Sequence, residues 1–237
     1  MTDQSHQRIH ISAQFSRELE GVRDDVLTMG GTVESQITKA LDALLDGNSE
    51  LAEQVIALDS NVNELERSIS DQCMRILALR QPAAGDLRLV LAVIKVTTDL
   101  ERIGDEAAKM GRQAVLLSEI GVQEKIAAQV RDVAVRSITM VKNALDSFAR
   151  LEVGDALSVI LSDDDTDEAY ANAREWLLLF AEENPASLRV AMSYLWILKG
   201  LERIGDHAAN IAEQVIFLIE GVDVRHLDSQ NTRDLLS

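Results

Sequence analysis

Apolar residues recur along most of the chain in alternating steps of three and four, the spacing that places them on one face of an α-helix. The first stripe lies between about residues 11 and 46, and its members include Phe15, Leu19, Val22, Val26, Met29 and Val33. Five similar stripes predict further helices over about 50–80, 86–117, 124–151, 155–182 and 187–220. No segment shows the alternation that is typical of a strand, so the pattern predicts an all-α fold.

Residues that end helices separate these stripes. Gly47 and Asn48 follow the first stripe, and Ser49 is well placed to cap the second helix. Pro82 and Pro185 are the only prolines, and each precedes the third helix of its half. Because the residue before a proline avoids helical geometry, both positions predict the end of a helix. The segment after residue 222 is polar, and we expect it to be frayed.

The sequence Leu-Glu-Arg-Ile-Gly-Asp occurs twice, at 100–105 and again at 201–206. Neighbouring residues match as well, which indicates an internal duplication. Since short connections force successive helices to lie antiparallel, each half is predicted to be a three-helix bundle. We therefore expect two tandem, pseudo-symmetric three-helix bundles of six long antiparallel helices, over 1–121 and 122–222, and a polar C-terminal tail over 223–237. The spacing leaves open whether the bundles pack side by side or end to end.

Composition narrows the possible functions. The chain has 237 residues, of which 46% are hydrophobic but only 3% aromatic, so its core must be aliphatic and rich in alanine. Its formal net charge is −17. Phosphate groups are bound by Lys and Arg, so this charge disfavours a protein that binds nucleic acid or anionic lipid. Acidic surfaces suit cations or basic partners, although much of the charge could simply keep the protein soluble.

The cellular compartment is suggested by what the sequence lacks. A single cysteine, Cys73, excludes an internal disulfide and suits a reducing compartment, and we expect it to be a small buried residue. No run of about 18 apolar residues is present, and residues 1–6 lack the pattern of a secretion signal. We therefore expect a cytoplasmic protein.

The repeated segment carries two carboxylates that point away from the predicted core. Ile103 lies on the core stripe of the third helix, so Glu101 and Asp105 face outward. In the sixth helix the corresponding pair is Glu202 and Asp206. Residues four apart lie about one turn apart on the same face, where two like charges repel. The occurrence of this pair in both halves suggests that a cation lies between the carboxylates.

The second and fifth helices supply further polar positions. The two halves align here at an offset of 104 residues, which pairs Asp59 with Asp163. Asn63 pairs with Asp167, and Glu66 follows three residues later. Each bundle could thus join i,i+4 pairs from two adjacent helices into a cluster of oxygen ligands, which suits Mg²⁺, Mn²⁺ or iron better than thiophilic metals. The alternative is two solvated acidic faces without a ligand.

Two further features repeat between the halves. Gly104 and Gly205 weaken their helices by about 1 kcal/mol relative to alanine, so they indicate either a close helix crossing or access for a ligand. The first turns of the third and sixth helices carry apolar residues beyond the core stripe, and we expect these to contact the other bundle or another subunit. They are Leu87, Leu91, Ile94, Leu188, Met192 and Leu195.

Motifs for catalysis are poorly represented. A di-iron bundle of the ferritin type needs Glu-x-x-His pairs, whereas Gly205 stands three residues after Glu202. His207 has Glu106 as its counterpart in the first half, so we expect it to be structural or solvated rather than a ligand. The chain has no phosphate-binding glycine loop of the Walker type and no evident pair of nucleophile and base. The residues by themselves therefore predict no catalytic site.

The repeated motifs resemble those of the PhoU family of bacterial phosphate-signalling proteins. Besides the two Glu-Arg-Ile-Gly-Asp segments, the matching stretches are 14–20 (Gln-Phe-Ser-Arg-Glu-Leu-Glu), 29–31 (Met-Gly-Gly), 80–82 (Arg-Gln-Pro) and 86–90 (Asp-Leu-Arg-Leu-Val). The resemblance covers about residues 11–227 and implies a fold of two tandem three-helix bundles.

The resemblance also implies metal clusters at Glu/Asp-x-x-x-Asp motifs, with Fe, Zn, Mg or Mn as the ion. Carried over to this sequence, the metal ligands would be Asp59, Glu101, Asp105, Asp163, Asp167, Glu202 and Asp206. Asn63 stands where the motif has an acidic residue, so we expect the site of the first half to be weaker or differently filled.

Members of this family repress the phosphate-starvation response when phosphate is plentiful. The resemblance therefore implies a cytoplasmic adaptor, not an enzyme. This adaptor would lie between the ATPase subunit of the phosphate ABC transporter and the phosphate sensor histidine kinase. The resemblance also implies a homodimer that reaches the inner membrane only through these partners. Without the resemblance, the acidic clusters favour a different class, a metal-storage or metal-dependent hydrolytic bundle.

Overall fold

The structure, a computed structural model, describes the backbone of residues 2–121, 124–225 and 229–236. Within these residues every regular element is helical, which confirms the all-α prediction. The six long helices are α1 (Thr2–Asp46), α2 (Ser49–Arg80), α3 (Ala84–Ser118), α4 (Glu124–Arg150), α5 (Val153–Glu183) and α6 (Leu188–Glu220). A 3₁₀ turn (Pro185–Ser187) precedes α6, and a short helix, α7 (Ser229–Leu236), follows it.

Two details differ from the sequence prediction. The cap of α2 is Asn48, whose Oδ1 accepts a hydrogen bond from the Leu51 N–H at 3.0 Å, rather than Ser49. Asn and Ser cap helices about equally well, so their adjacency makes the choice ambiguous. Residues 229–236 form α7, which packs against α5, where the sequence predicts only a frayed tail. Thr232 of α7 is buried, so this contact holds the end of the chain against the second bundle.

Each half forms a three-helix bundle, and the two bundles lie side by side with α3 against α6 and α1 against α4. The guanidinium of Arg23 donates to the carbonyl oxygens of Phe148 and Ala149 at the end of α4. Arg88 Nε donates to the carbonyl oxygen of Leu218 near the end of α6 at 3.2 Å. Both arginines thus pair with carbonyl groups that a helix C-terminus leaves without an intrahelical partner.

The repeated segments lie in equivalent cores. Leu100 and Ile103 of α3 are completely buried, and so are Leu201 and Ile204 of α6. Aliphatic side chains make up most of the core, as the composition predicts, and the completely buried Phe148 and Tyr194 are its aromatic members. Cys73 is buried as well, and its burial raises the pKa of the thiol to about 11, so the side chain stays protonated.

The glycines of the repeat face neighbouring helices. A Cβ atom at Gly104 would lie 3.2 Å from Val62 Cγ1 of α2. A Cβ atom at Gly205 would lie 3.6 Å from Thr166 Cγ2 of α5 and 3.7 Å from Asp163 Oδ1. Of the two interpretations, the close crossing therefore matches the structure at Gly104. At Gly205 a Cβ atom would make only ordinary van der Waals contacts, one of them with the carboxylate of Asp163.

Four of the six extra apolar residues of α3 and α6 are exposed, and the other bundle does not cover them. They are Leu87, Leu91, Leu188 and Met192, whereas Ile94 and Leu195 are half-buried. Of the two predicted contacts, the other bundle thus does not cover the outermost members, and contact with another subunit stays a prediction for them. None of the described helices combines the length and the hydrophobicity that crossing a lipid bilayer requires.

Candidate metal centres

The first acidic cluster lies between α2 and α3. Asn63 Nδ2 donates to Asp59 Oδ2 at 3.4 Å, while Asp59 Oδ1 is buried and has no hydrogen-bond partner among the described residues. Burial and then the charge of Asp105 raise the pKa of Asp59. The same two causes raise the pKa of Glu101, against the opposing charge of Arg102. These carboxylates therefore lack a full complement of positive charge.

Two further charged residues belong to this first cluster. Glu66 of α2 lies close enough for its charge to raise the pKa of Glu101. Arg102, which is largely exposed, places Nε 3.5 Å from Glu101 Oε2 and Nη1 4.0 Å from Asp105 Oδ2. The first cluster thus gains a fourth carboxylate where Asn63 departs from the acidic pattern, and it also has an arginine beside it.

The second acidic cluster lies between α5 and α6 in the equivalent place. Asp167, Glu202 and Asp206 each offer one carboxylate oxygen, and these three oxygens lie within 4.8 Å of one another. No other group of three possible metal ligands this close together occurs among the described side chains. Asp163 adjoins these three residues, and burial followed by the charges of Asp167 and Asp206 raises its pKa to about 7. Burial is also the main reason that the pKa values of Asp167 and Asp206 are raised.

The cations beside the second cluster differ from those beside the first. Lys199 Nζ lies 2.5 Å from Glu202 Oε2. Arg203, the counterpart of Arg102, turns away from the cluster, and its Nη1 lies 2.9 Å from Glu106 Oε1 of α3. The identical Glu-Arg-Ile-Gly-Asp segments give no sign of this difference, because it depends on the residues that face each arginine across the contact between the bundles.

The eight predicted site residues fall into two groups of four. The first group is Asp59, Asn63, Glu101 and Asp105, and the second is Asp163, Asp167, Glu202 and Asp206. All their donor atoms are carboxylate or amide oxygens. The orphaned oxygen of Asp59 and the raised pKa of Asp163 both indicate negative charge that the protein itself does not balance. The residues present therefore fit a hard divalent cation or iron.

His207 is a structural residue rather than a member of either cluster. Its Nδ1 lies 2.9 Å from Asp99 Oδ1, and Asn210 Nδ2 donates to the same oxygen at 3.2 Å. These contacts join α6 to α3 and, with the Arg203–Glu106 pair, fix the antiparallel arrangement of the two helices. Of the two roles that the sequence predicts for His207, the structural one agrees with these contacts.

Known proteins resemble this chain over almost its whole length. Residues 26–114 and 130–215 match the family model of the PhoU domain. The chain is 48% identical over 218 residues to the phosphate-specific transport system accessory protein PhoU homolog of Pseudomonas aeruginosa, which covers 92% of this chain and 90% of that protein. It is 37% identical over 229 residues to the phosphate-specific transport system accessory protein PhoU of Escherichia coli, with 96% and 94% covered.

Two crystal structures have the same fold. The structure of PhoU from Pseudomonas aeruginosa superposes with a TM-score of 0.86 at 46% identity, over 88% of this chain and all 100% of that chain. The phosphate transport system regulatory protein PhoU from Streptococcus pneumoniae superposes with a TM-score of 0.82 at 30% identity, over 89% of this chain and 99% of that chain.

Proposed function

Since the chain belongs to the PhoU family, we propose that it is a negative regulator of the phosphate-starvation response and of phosphate uptake. It acts as a cytoplasmic adaptor between the ATPase subunit of the phosphate ABC transporter and the phosphate sensor histidine kinase, and it reaches the inner membrane through these partners. The observation that carries the proposal is the family match in both halves, with relatives named as accessory proteins of the phosphate-specific transport system. These relatives are accessory proteins rather than known enzymes, which supports an adaptor without catalytic activity.

Exposed apolar residues provide surfaces that an adaptor needs. Leu188 and Met192 in the first turns of α6 are exposed, as are Leu178 and Leu179 near the end of α5. Apolar groups of this size are commonly covered by a partner protein or a second copy of the chain. The proposal includes a homodimer, and the mass of the purified protein by light scattering tests that part directly.

The two acidic clusters are proposed to bind metal ions. In the second cluster Asp163, Asp167, Glu202 and Asp206 would hold the ion, and a bound cation would supply the positive charge that these carboxylates lack. All donors are oxygens, so Mg²⁺, Mn²⁺ or iron suits the site better than Zn²⁺. We expect the second cluster to bind more tightly than the first, because the guanidinium of Arg102 competes with a cation for Glu101 and Asp105.

A deletion strain tests the regulatory role. Without the protein, the phosphate-scavenging genes should be transcribed in phosphate-rich medium at the level that wild-type cells reach only during starvation. The readout is a transcriptional reporter for a phosphate-regulated gene, and a plasmid copy of the wild-type gene should restore repression. A reporter that stays silent in the deletion strain in rich medium would contradict the proposed function.

The acidic clusters also favour one alternative, a metal-storage or metal-dependent hydrolytic bundle. The same deletion strain separates the two classes, because a storage protein would change the metal content of the cell and leave the reporter silent. For the hydrolase, purified protein loaded with Mn²⁺ would have to turn over a phosphoester. The family relationship favours the adaptor, since the relatives are transport accessory proteins.

A further inference from the structure

A groove between α3 and α6 is unusual in its charge. Its volume is about 440 Å³. Lys109 and Arg112 line it from α3, Lys199 and Arg203 line it from α6, and Glu106 is the single acidic residue among its described lining. Four basic side chains thus surround one carboxylate in a chain whose formal net charge is −17. Nothing in the overall composition would lead one to expect a basic concavity here.

Glu106 pairs with two of the four basic side chains, and its single negative charge leaves the groove with a positive charge overall. Its Oε1 lies 3.0 Å from Lys109 Nζ and 2.9 Å from Arg203 Nη1, and its own side chain is buried. Both cations remain about half exposed and can still contact a ligand. Arg112 is exposed, and its charge lies close enough to the first cluster to oppose the rise in the pKa of Asp59. Lys199 pairs with Glu202 of the second cluster, so the groove borders that cluster.

The duplication provides an internal comparison, because the same helix contact forms a second groove of about 370 Å³ at the equivalent place. There Asp99 and Glu213 balance the charges of Lys95 and Arg225. We call the first of these two grooves the basic groove. Lys109 of the basic groove corresponds to Asn210 of the second groove, Arg112 to Glu213, Trp196 to Lys95, Lys199 to Thr98 and Gly200 to Asp99. The contact between α3 and α6 therefore forms without a basic lining, so helix packing does not explain the four cations.

Trp196 gives the basic groove a flat apolar wall. It is 66% exposed, whereas the other tryptophan, Trp176, stacks on Phe180. An indole beside a row of cations can stack on a nucleobase while Lys and Arg bind phosphate oxygens. The volume of the groove lies within the range of small-ligand pockets, roughly 300–1,000 Å³.

We propose that this groove binds a purine nucleoside di- or triphosphate. The phosphates contact Lys109, Arg112 and Arg203, and the base stacks on Trp196. A single phosphate would use only part of the cationic row and would leave the exposed indole unused, which is why a nucleotide suits the groove better than inorganic phosphate. The site is distinct from both acidic clusters, and it does not depend on the regulatory role proposed above.

Titration of the full chain with ATP tests this assignment. The protein is stripped with a chelator and kept free of divalent cations, so that no metal can bridge the nucleotide to the acidic clusters. Calorimetry and tryptophan fluorescence should both show saturable binding of one ATP per chain. Lys109→Asn with Arg112→Glu, which introduces the residues of the second groove, should weaken binding by at least about tenfold. Trp196→Ala, which removes the stacking surface without adding a charge, should weaken binding by at least about tenfold as well.

Matched changes in the second groove are the control. Lys95→Ala and Arg225→Ala should leave the affinity for ATP unchanged, and circular dichroism should show that every variant is folded at the temperature of the titration. Absence of saturable ATP binding, or equal affinity in the groove variants, would overturn the proposal. If tripolyphosphate binds as tightly as ATP, the base contributes nothing and the assignment of a purine nucleotide is wrong. If an acidic peptide binds and ATP does not, the groove is a protein-docking site instead.

Discussion

Replacing Asp163 with asparagine should stabilise the metal-free protein and remove the part of its response to metal that comes from the second cluster. Burial and the neighbouring carboxylates raise the pKa of Asp163 to about 7, so the folded protein disfavours the charged form. In the unfolded chain the carboxyl group of Asp163 ionises near pH 4. The folded protein therefore loses stability as the pH rises from about 4 to 7, and above that range the full cost of the buried charge is present. For a group shielded from water, this rise in the pKa would lower the free energy of unfolding by roughly 4 kcal/mol. Asp163 is partly exposed, which reduces the loss to about 1–2 kcal/mol.

Urea unfolding with and without Mn²⁺ measures both effects. At pH 8 the chelated Asp163→Asn variant should be more stable than the wild type by about 1–2 kcal/mol, and the gain should be smaller at pH 5. Mn²⁺ should stabilise the wild type through both clusters and the variant only through the first, so the response of the variant should be clearly smaller. Asp71→Asn, at an exposed position of α2, is the control and should behave as the wild type does. A variant that is less stable than the wild type at pH 8 would show that the Asp163 carboxylate does not destabilise the metal-free protein. A variant that keeps the full response to Mn²⁺ would show that Asp163 does not help to bind the ion.

Truncating either isoleucine of the repeated segment should lower the free energy of unfolding by about 2–5 kcal/mol. Ile103 and Ile204 are both completely buried, and each lies one residue before the glycine at which its helix crosses its neighbour. Alanine at either position leaves a cavity between helices that cannot move closer without breaking the crossing. Because the two cores are equivalent, the losses for Ile103→Ala and Ile204→Ala should be similar.

Denaturant unfolding of the two single variants measures these losses. Val135→Ala in α4 is the matched control, since Val135 is exposed and its truncation should change stability by no more than about 0.5 kcal/mol. A large loss at one isoleucine and none at the other would mean that the two halves do not have equivalent cores. The pseudo-symmetry on which the two acidic clusters depend would then be wrong.

The sequence predicted the helices well because their boundaries depend on local signals. The apolar stripes locate six helices to within a few residues, except that α1 begins at Thr2, ahead of its apolar stripe, and Pro82 and Pro185 mark both equivalent corners. The register against the core stripe predicts that Glu101 and Asp105 point away from the core seam, and in the structure both are half-buried beside α2. Such predictions succeed because helix periodicity links residues that are close in sequence.

Features that depend on contacts between distant helices were not predictable. The side-by-side packing follows from which faces of α3 and α6 meet, and no spacing in the sequence encodes it. Arg102 and Arg203 have different partners because of that packing. Only Arg203 lies opposite Glu106 across the contact between the bundles. The basic groove was missed for the same reason, since Lys109 and Lys199 are far apart in the chain and meet only in the fold.

The metal content of matched variants tests the central claim, that a duplicated fold presents two equivalent acidic clusters to cations. The full chain, purified without chelator or affinity-tag metal, is equilibrated with Mn²⁺, separated from free ion and analysed for bound metal per chain. Glu101→Ala with Asp105→Ala should remove roughly half of the bound metal, and Glu202→Ala with Asp206→Ala should remove the other half. Bound metal that is unchanged in both double variants, or absent from the wild type, would contradict the claim.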